Sequence, residues 1–171
     1  MKYKRIFRIL SIVIILYLLV IAIPTTPAQA QSVTVYPASG PTGTIVAVTG
    51  TGFLAGNTYQ VTFGYGSTFT QVVVPTTTVV GTTFSASFTV PSVPRGSYTI
   101  QTATTPGNFS SLFAVTPQIT LNVTSGYVGS QVIVSGTGFA ASSTVTIYFD
   151  TAAKGTATTN ASGVLPSTAF T

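Results

Sequence analysis

The stretch SGPTGTIVAVTGTGF at residues 39–53 decides the fold, because it returns as SGYVGSQVIVSGTGF at residues 125–139. The match extends on both sides without a gap: residues 33–63 align with residues 119–149 at a constant offset of 86, the difference 119 − 33. Thirteen of these thirty-one positions are identical, and the glycines and phenylalanines stay in step. An internal repeat of this length indicates one structural module that is present twice.

Alternation of apolar and hydroxyl residues indicates β-strands throughout the first repeat. Phe84, Ala86 and Phe88 alternate with Ser85 and Ser87, which assigns the aromatic rings to one face of a sheet and the hydroxyls to the other. Clusters of Gly, Pro and Ser separate such runs. The predicted strands cover residues 32–36, 44–50, 58–64, 69–74, 82–90, 97–104 and 110–116. Seven short strands without a helical period predict an all-β fold of the β-sandwich type.

The second repeat is shorter than the first. Residues 170–171 match residues 88–89 at an offset of 82, which is 170 − 88, and the counterpart of residues 90–115 is missing. Two interpretations stay open: the chain is a fragment of a longer repeat protein, or a neighbouring chain donates the last two strands. We expect the uncovered strand to show an apolar face and an unpaired edge. The residues of that face are Val145, Ile147 and Phe149.

The N-terminus predicts export from the cytoplasm. Four of the six cations, Lys2, Lys4, Arg5 and Arg8, precede an apolar run at residues 9–23 and the small-residue sequence Ala28-Gln29-Ala30. This order is typical of a secretory signal peptide cleaved after Ala30. The fifteen residues of this run, apolar except for Ser11, would span roughly 22 Å as a helix, less than the ~30 Å bilayer core, which favours cleavage. The alternative is an uncleaved membrane anchor. The predicted organisation is a signal peptide at 1–30, a first domain at 31–117 and an incomplete second domain at 118–171, located in the medium or on the cell surface.

Charge is nearly absent after the predicted cleavage position. Arg95, Asp150 and Lys154 are the only charged residues from 31 to 171, for a net charge of +1. Two cations cannot form a phosphate-binding patch, so nucleic acid is not an expected partner. Low charge also favours self-association.

The residue inventory predicts that the chain is not an enzyme. It contains no His and no Cys, and a single carboxylate, Asp150, cannot supply paired acids or a calcium site. Serine and threonine are abundant but have no base to activate them. We therefore predict no catalytic residue, no metal site and no cofactor.

Surface residues of two kinds are candidates for binding or modification. Tyr65 and Phe69 lie in the segment GYGSTF between the third and fourth strands, where residues 151–159 replace the loop in the second repeat. Exposed rings there would stack on sugars, and the alternative is that both rings pack against the edge of the sandwich. Candidate N-glycosylation sites, each followed two residues later by Ser or Thr, are Asn108, Asn122 and Asn160.

Other aromatic and proline residues have predicted structural roles. Phe53 ends the shared GTGF string and is expected to fold back beneath the core. In Pro94-Arg95-Gly96-Ser97-Tyr98, Tyr98 either ties down the corner before the sixth strand or is an ordinary core aromatic. The joint between the repeats, Thr116-Pro117-Gln118, is short and contains a proline, which predicts little bending.

The strings SGPTGTIVAVTGTGF with YQVTFG, and SGYVGSQVIVSGTGF with VTIYF, resemble the IPT/TIG group of immunoglobulin-like domains and the Ig-like repeats of bacterial and archaeal surface proteins. FSASFTVPSVPRGSYTI is similar to the closing half of such repeats. The resemblance implies tandem immunoglobulin-like β-sandwich domains of about seven strands each. It also implies a non-catalytic structural or adhesive spacer whose partner is an extracellular protein or glycan. The alternative is a carbohydrate-binding or accessory module of a secreted carbohydrate-active enzyme.

Overall fold

The computed structural model describes residues 2–21, 29–65, 68–105 and 107–171, and in these residues the chain forms one helix and thirteen strands. Helix α1 spans Lys2–Ile21. The strands of the first repeat are β1 (Ser32–Tyr36), β2 (Ser39–Gly40), β3 (Ile45–Thr51), β4 (Thr58–Tyr65), β5 (Thr68–Thr78), β6 (Thr83–Thr89), β7 (Gly96–Thr104) and β8 (Asn108–Val115). Those of the second repeat are β9 (Gln118–Leu121), β10 (Val132–Thr137), β11 (Thr144–Phe149), β12 (Ala152–Thr158) and β13 (Leu165–Phe170).

Helix α1 covers most of the predicted export signal. Its apolar run contains no Gly or Pro, and the hydroxyl of Ser11 donates to the carbonyl oxygen of Phe7 one turn earlier, at 2.8 Å. Residues 22–28, which include Ala28 of the predicted cleavage sequence, lie outside the described residues. In the described ranges, no helix has both the length and the apolar character that crossing a bilayer requires.

Two sheets with one shared core make up the first repeat. Their strand orders are β1-β3-β6 and β2-β8-β7-β4-β5, and all neighbours are antiparallel except the short β2–β8 pair. The core draws on alternate residues of both sheets, among them Val46, Val48, Phe84, Phe88, Val61, Phe63, Ile100 and Phe113. Burying each such side chain stabilises the fold by about 1.5–3 kcal/mol. The all-β prediction is confirmed.

Phe53 closes one end of this core. It is 1% exposed, and its ring centroid lies 5.2 Å from that of Phe84 and 6.0 Å from that of Phe109. The expectation that this residue folds back beneath the core is therefore confirmed.

Each of the seven predicted strands of the first repeat is present, with small differences in extent. Strand β5 continues past Pro75 to Thr78, although the sequence predicts an end at residue 74. It can do so because β5 is the edge of its sheet, and its pairing with β4 shifts register on both sides of Val61. Strand β2 was not predicted, since two residues are too few to show alternation.

The second repeat repeats these strand pairings, and the register of β10 with β13 matches that of β3 with β6 until it shifts by one residue between Val134 and Gly136. Val46 lies opposite Phe88 in the β3–β6 pair, and Val132 lies opposite Phe170 in the β10–β13 pair. This confirms the sequence match at an offset of 82. The strand order β9-β10-β13 therefore corresponds to β1-β3-β6, whereas the second sheet consists only of β11 and β12 among the described residues.

Strand β12 corrects the expectation of a loop at residues 151–159. It pairs antiparallel with β11 after a tight turn in which Asp150 adopts a left-handed φ of 55°. Asp tolerates this conformation better than most residues with a side chain. The sequence AAKGTAT does not predict a strand, because Ala, Lys and Gly are infrequent in strands.

Residues of the two repeats meet at the joint. The backbone N–H of Arg95, in the corner before β7, donates to the carbonyl oxygen of Phe139 at 2.9 Å. Gly163 has a φ of +69°, and a Cβ added there would clash with the carbonyl oxygen of Phe139 in its own repeat and come 2.8 Å from the Cα of Pro94 in the other. A hydrogen bond and a close backbone approach therefore hold this corner against two loops of the second repeat.

Hydroxyl groups rather than charges cover the outward faces. The Oγ1 atoms of Thr34 and Thr49 lie 2.6 Å apart on neighbouring strands β1 and β3. Thr58 and Thr105 form a similar pair at 3.0 Å. The two hydroxyls of each pair form a hydrogen bond with each other and can still form hydrogen bonds with water. They therefore keep the outer surface of the sheets hydrated without adding charge.

Candidate functional site

Tyr98 is buried at the corner of the first repeat that precedes β7, and it contacts both the core and the corner. Its ring stacks on Phe63 with centroids 4.9 Å apart and an interplanar angle of 12°. Its hydroxyl donates to the carbonyl oxygen of Pro94 at 2.8 Å. Burial, and to a smaller extent the neighbouring Tyr65, raises the pKa of Tyr98 above its usual value. Tyr98 thus meets both sequence expectations, because its ring belongs to the core while its hydroxyl ties down the corner.

Tyr65, the first candidate for sugar contact, lies at the same corner. Its side chain is 67% exposed, and its ring meets Tyr98 edge to face with centroids 5.6 Å apart. Gly96 is also nearby, since a Cβ on that residue would lie 3.5 Å from the Tyr65 ring. The ring is therefore packed along one edge and still accessible to a ligand, which combines the two alternatives that the sequence left open.

Phe69, the second candidate for sugar contact, belongs to β5, and its side chain lies outside the described residues. Gly66 and Ser67, between the two aromatics, are also outside them. The backbone of β5 begins opposite β4, with Thr68 paired to Tyr65. A joint sugar platform of both rings therefore stays a prediction.

The three sequon asparagines, Asn108, Asn122 and Asn160, are exposed. The Oδ1 atom of Asn122 accepts from the N–H of Ile133 at 2.7 Å. The Oδ1 atom of Asn160 accepts from the N–H groups of Ser162 and Val164, each at 2.9 Å. These hydrogen bonds engage the amide oxygen, whereas a glycan attaches to the amide nitrogen. The local structure is thus compatible with modification at both sites.

An open apolar groove lies between the two sheets of the second repeat. Its volume is about 930 Å³, and its apolar lining includes Ile119, Leu121, Val134, Phe139, Ile147 and Phe149. Phe149 is 72% exposed, whereas its repeat counterpart Phe63 is 2% exposed. The difference arises because β7 covers Phe63 with Tyr98, and no described strand does the same for Phe149. The predicted apolar face is therefore present.

Strand β11 has a free edge beside this groove. It pairs with β12 on one side, and in the described part of the chain nothing occupies the side that corresponds to β7. Its sequence, TVTIYF, contains no charged residue and no Pro, which are the features that usually protect an exposed edge from pairing. This edge can therefore accept a further strand.

Reactive side chains do not cluster in the part of the chain that the structure describes. No group of three or more His, Cys, Asp or Glu residues within it could hold a metal ion. The buried hydroxyl of Thr159 serves a structural purpose: it donates to the carbonyl oxygen of Ala140 at 2.6 Å and accepts from the N–H of Ser143 at 2.9 Å.

Comparison with known proteins gives no assignment. No family model, no curated protein and no solved structure matches the chain.

Proposed function

We propose that this is an exported surface protein in which tandem immunoglobulin-like β-sandwich domains, at residues 31–117 and 118–171, act as a structural or adhesive spacer. The strand orders β1-β3-β6 and β8-β7-β4-β5 support an immunoglobulin-like arrangement. The hydrogen bond from Tyr98 to the corner supports it further. The IPT/TIG-like strings around GTGF agree with the same assignment.

The contacts at the joint carry the spacer proposal. Domains within one chain move relative to each other unless their interface holds them. Here the Arg95 N–H donates to Phe139, and Gly163 fits against Pro94 with no room for a side chain. Pro117 restricts the connecting backbone as well. Such a joint restricts the orientation of one domain relative to the other, and a spacer requires a fixed orientation.

The composition supports a non-catalytic role. The chain offers no His, no Cys and one carboxylate, so a histidine base, a thiolate nucleophile or a carboxylate dyad has no residues to form from. Binding through neutral surfaces is the remaining activity. The expected partner is an extracellular protein or glycan.

Export is supported by the cationic start and the apolar helix α1. Production of the full chain in an exporting bacterial host tests this directly. We expect the product outside the cytoplasm to begin at Gln31 by mass spectrometry. Retention of residues 1–30 would favour the membrane-anchor alternative.

Distance measurements between the domains test the spacer. Because the chain has no cysteine, Ser87→Cys and Ser167→Cys introduce one label site in each repeat, both at exposed positions. We expect a single narrow distance distribution by double electron–electron resonance. Gly163→Ala should broaden it. Gly129→Ala is the matched control, since Gly129 has a φ of +86° but open space around it. A broad distribution in the unsubstituted chain would refute the spacer.

The exposed ring of Tyr65 favours glycan binding as a second candidate function. If the protein binds cell-wall polysaccharide, Tyr65→Ala should abolish its retention on that polymer. Tyr36→Ala is the control, because Tyr36 is 79% exposed and does not belong to the corner. Selective loss in Tyr65→Ala would replace the spacer by a carbohydrate-binding module, and Phe69→Ala would then test the second ring.

A further inference from the structure

We propose that strand β6 of the first repeat pairs antiparallel with the same strand of a second copy of this chain, which joins two molecules into a two-fold symmetric dimer. The residues of β6, Thr83–Thr89, have the sequence TFSASFT, which is identical in both directions. The inference goes beyond the spacer, because it depends on this one strand and not on the joint between the repeats.

Strand β6 has one free edge. It is the last strand of the sheet β1-β3-β6, and within the described ranges no strand pairs with its other side. Edge strands usually contain charged residues or Pro, which prevent pairing with another chain. Strand β6 contains neither, and it pairs with β3 over its whole length without a register shift. Its free edge is therefore regular and unprotected.

The hydrogen bonds at both ends of β6 show which backbone groups face this edge. The N–H of Val90 donates to the carbonyl oxygen of Thr44 at 2.9 Å, and the carbonyl oxygen of Thr82 accepts from the N–H of Phe53 at 3.1 Å. In an antiparallel pair, every second residue of a strand directs both its N–H and its C=O to the same neighbouring strand. The even-numbered residues of β6 therefore bond to β3. The residues whose N–H and C=O groups point to the free edge are Thr83, Ser85, Ser87 and Thr89.

The palindrome defines one register for two antiparallel copies. With Ala86 opposite Ala86 of the second copy, the outward residues pair with each other: Thr83 with Thr89, and Ser85 with Ser87. Each of these pairs can exchange two main-chain hydrogen bonds, about eight in the whole dimer. A shift by one residue would oppose residues whose groups point to different edges, and a shift by two would leave the ends unpaired.

The side chains of this register meet like with like on both faces of the sheet. On the outer face, hydroxyls would meet hydroxyls, as Thr34 and Thr49 already do on β1 and β3 with Oγ1 atoms 2.6 Å apart. On the core side, Phe84 of each copy would lie opposite Phe88 of the other. Hydroxyl pairs and aromatic pairs across antiparallel strands are favourable. The net charge of +1 over residues 31–171 adds little repulsion between the copies.

The equivalent strand of the second repeat, β13, does not have these features. Its sequence, LPSTAF, is not palindromic and contains Pro166, which has no N–H to donate to a neighbouring strand. Self-complementary pairing is therefore expected at the first repeat alone. Two such edges use each other up, so the assembly closes at a dimer with a continuous sheet of six strands.

Disulfide formation tests the register. The chain contains no Cys, so Ala86→Cys would place a single thiol opposite its own copy. The Cα atoms of such a non-hydrogen-bonded pair lie about 4.5 Å apart, within the range of a disulfide. We expect mild oxidation of the exported protein to convert this variant into a covalent dimer. The control is Ser85→Cys, whose two copies would lie diagonally about 7–8 Å apart and should stay largely monomeric. No covalent dimer, or equal yields from both variants, would overturn the proposal.

Sedimentation velocity of charge variants tests the pairing without a covalent bond. Ser85→Lys with Ser87→Lys would place Lys opposite Lys in both serine pairs, whereas Ser85→Lys with Ser87→Glu would place Lys opposite Glu. We expect the unsubstituted protein to form dimers as its concentration rises. The like-charged variant should raise the dissociation constant by at least about tenfold, and the oppositely charged variant should stay near the unsubstituted value.

The matched control is Thr49→Lys with Thr51→Lys, because both are exposed residues of β3, a strand with both edges paired. This variant should dimerise as the unsubstituted protein does, and circular dichroism checks that every variant keeps its strands. A protein that stays monomeric at every soluble concentration would overturn the proposal. Dimers that persist equally in both charge variants would also overturn it and assign association to another surface.

The spin-label measurement on the joint stays independent of this test. A dimer would add coupling between two copies, which protein labelled at Ser87→Cys alone identifies. A monomeric protein with a narrow distance distribution would leave the spacer standing, whereas a broad distribution with normal dimers would refute the spacer alone.

Discussion

The two equivalent phenylalanines, Phe63 and Phe149, should differ greatly in what an alanine substitution costs. Phe63 is 2% exposed and packs on Tyr98 and Phe113. Replacing such a buried ring by Ala costs about 3–5 kcal/mol. Phe149 is 72% exposed, so just over a quarter of its ~200 Å² is buried, worth about 1 kcal/mol at ~25 cal/mol per Å². We expect the free energies of unfolding of the two variants to differ by about 2–4 kcal/mol.

Urea unfolding of the two variants, followed by far-ultraviolet circular dichroism, measures this difference. With a slope of about 1–3 kcal/mol per molar urea, Phe63→Ala should lower the midpoint by at least about 1 M, and Phe149→Ala by clearly less. Tyrosine fluorescence recorded in parallel shows whether the two repeats unfold together. Equal losses in dilute protein would mean that Phe149 is covered, and the open groove would have to be abandoned.

Two further substitutions, Tyr98→Phe and Thr159→Val, test individual hydrogen bonds, and a third, Ala30→Phe, tests the predicted cleavage position. Tyr98→Phe removes the hydrogen bond to Pro94 and should cost about 1 kcal/mol at neutral pH. Because the folded-state pKa of Tyr98 is raised, the folded state holds the proton longer than the unfolded state, so the wild type should lose stability as pH rises above about 10. Tyr98→Phe should lose less over that range in urea titrations, and an identical alkaline loss would exclude Tyr98 as its source. Thr159→Val leaves the partners of a buried hydroxyl unsatisfied and should cost about 1–3 kcal/mol by thermal or urea unfolding. The exposed neighbour Thr158→Val should stay within about 0.5 kcal/mol, and similar costs for both would contradict the buried role of Thr159. Ala30→Phe should block removal of residues 1–30, which mass spectrometry of the exported product would show, and normal processing would move the cleavage position elsewhere.

Most of the first repeat could be predicted from its sequence because side chains alternate strictly where one face is buried. Phe84 and Phe88 show this in β6, where both are buried and the serines between them are exposed. The internal repeat then transferred this information to the second half, including the pairing of Val132 with Phe170. The exposure of the apolar face of β11 could be predicted because the second repeat has no counterpart of β7 and β8 among the described residues.

Other features depend on contacts that leave no periodic pattern. Strand β12 consists mainly of small residues, so its pairing with β11 follows from the turn at Asp150 rather than from its own preference. The hydrogen bond from Arg95 to Phe139 joins two loops through backbone atoms, which side-chain patterns do not report. The contact between Tyr65 and Tyr98 depends on the registers of two strands far apart in sequence.

Hydroxyl pairs such as Thr34 with Thr49 have a consequence for the conditions under which the protein can work. Dissolved ions screen charges and leave neutral hydroxyls unaffected. Without histidine, residues 31–171 also have little to protonate near neutrality. The screening of charges by salt and the protonation of side chains in mildly acidic or alkaline surroundings should therefore change its folding little.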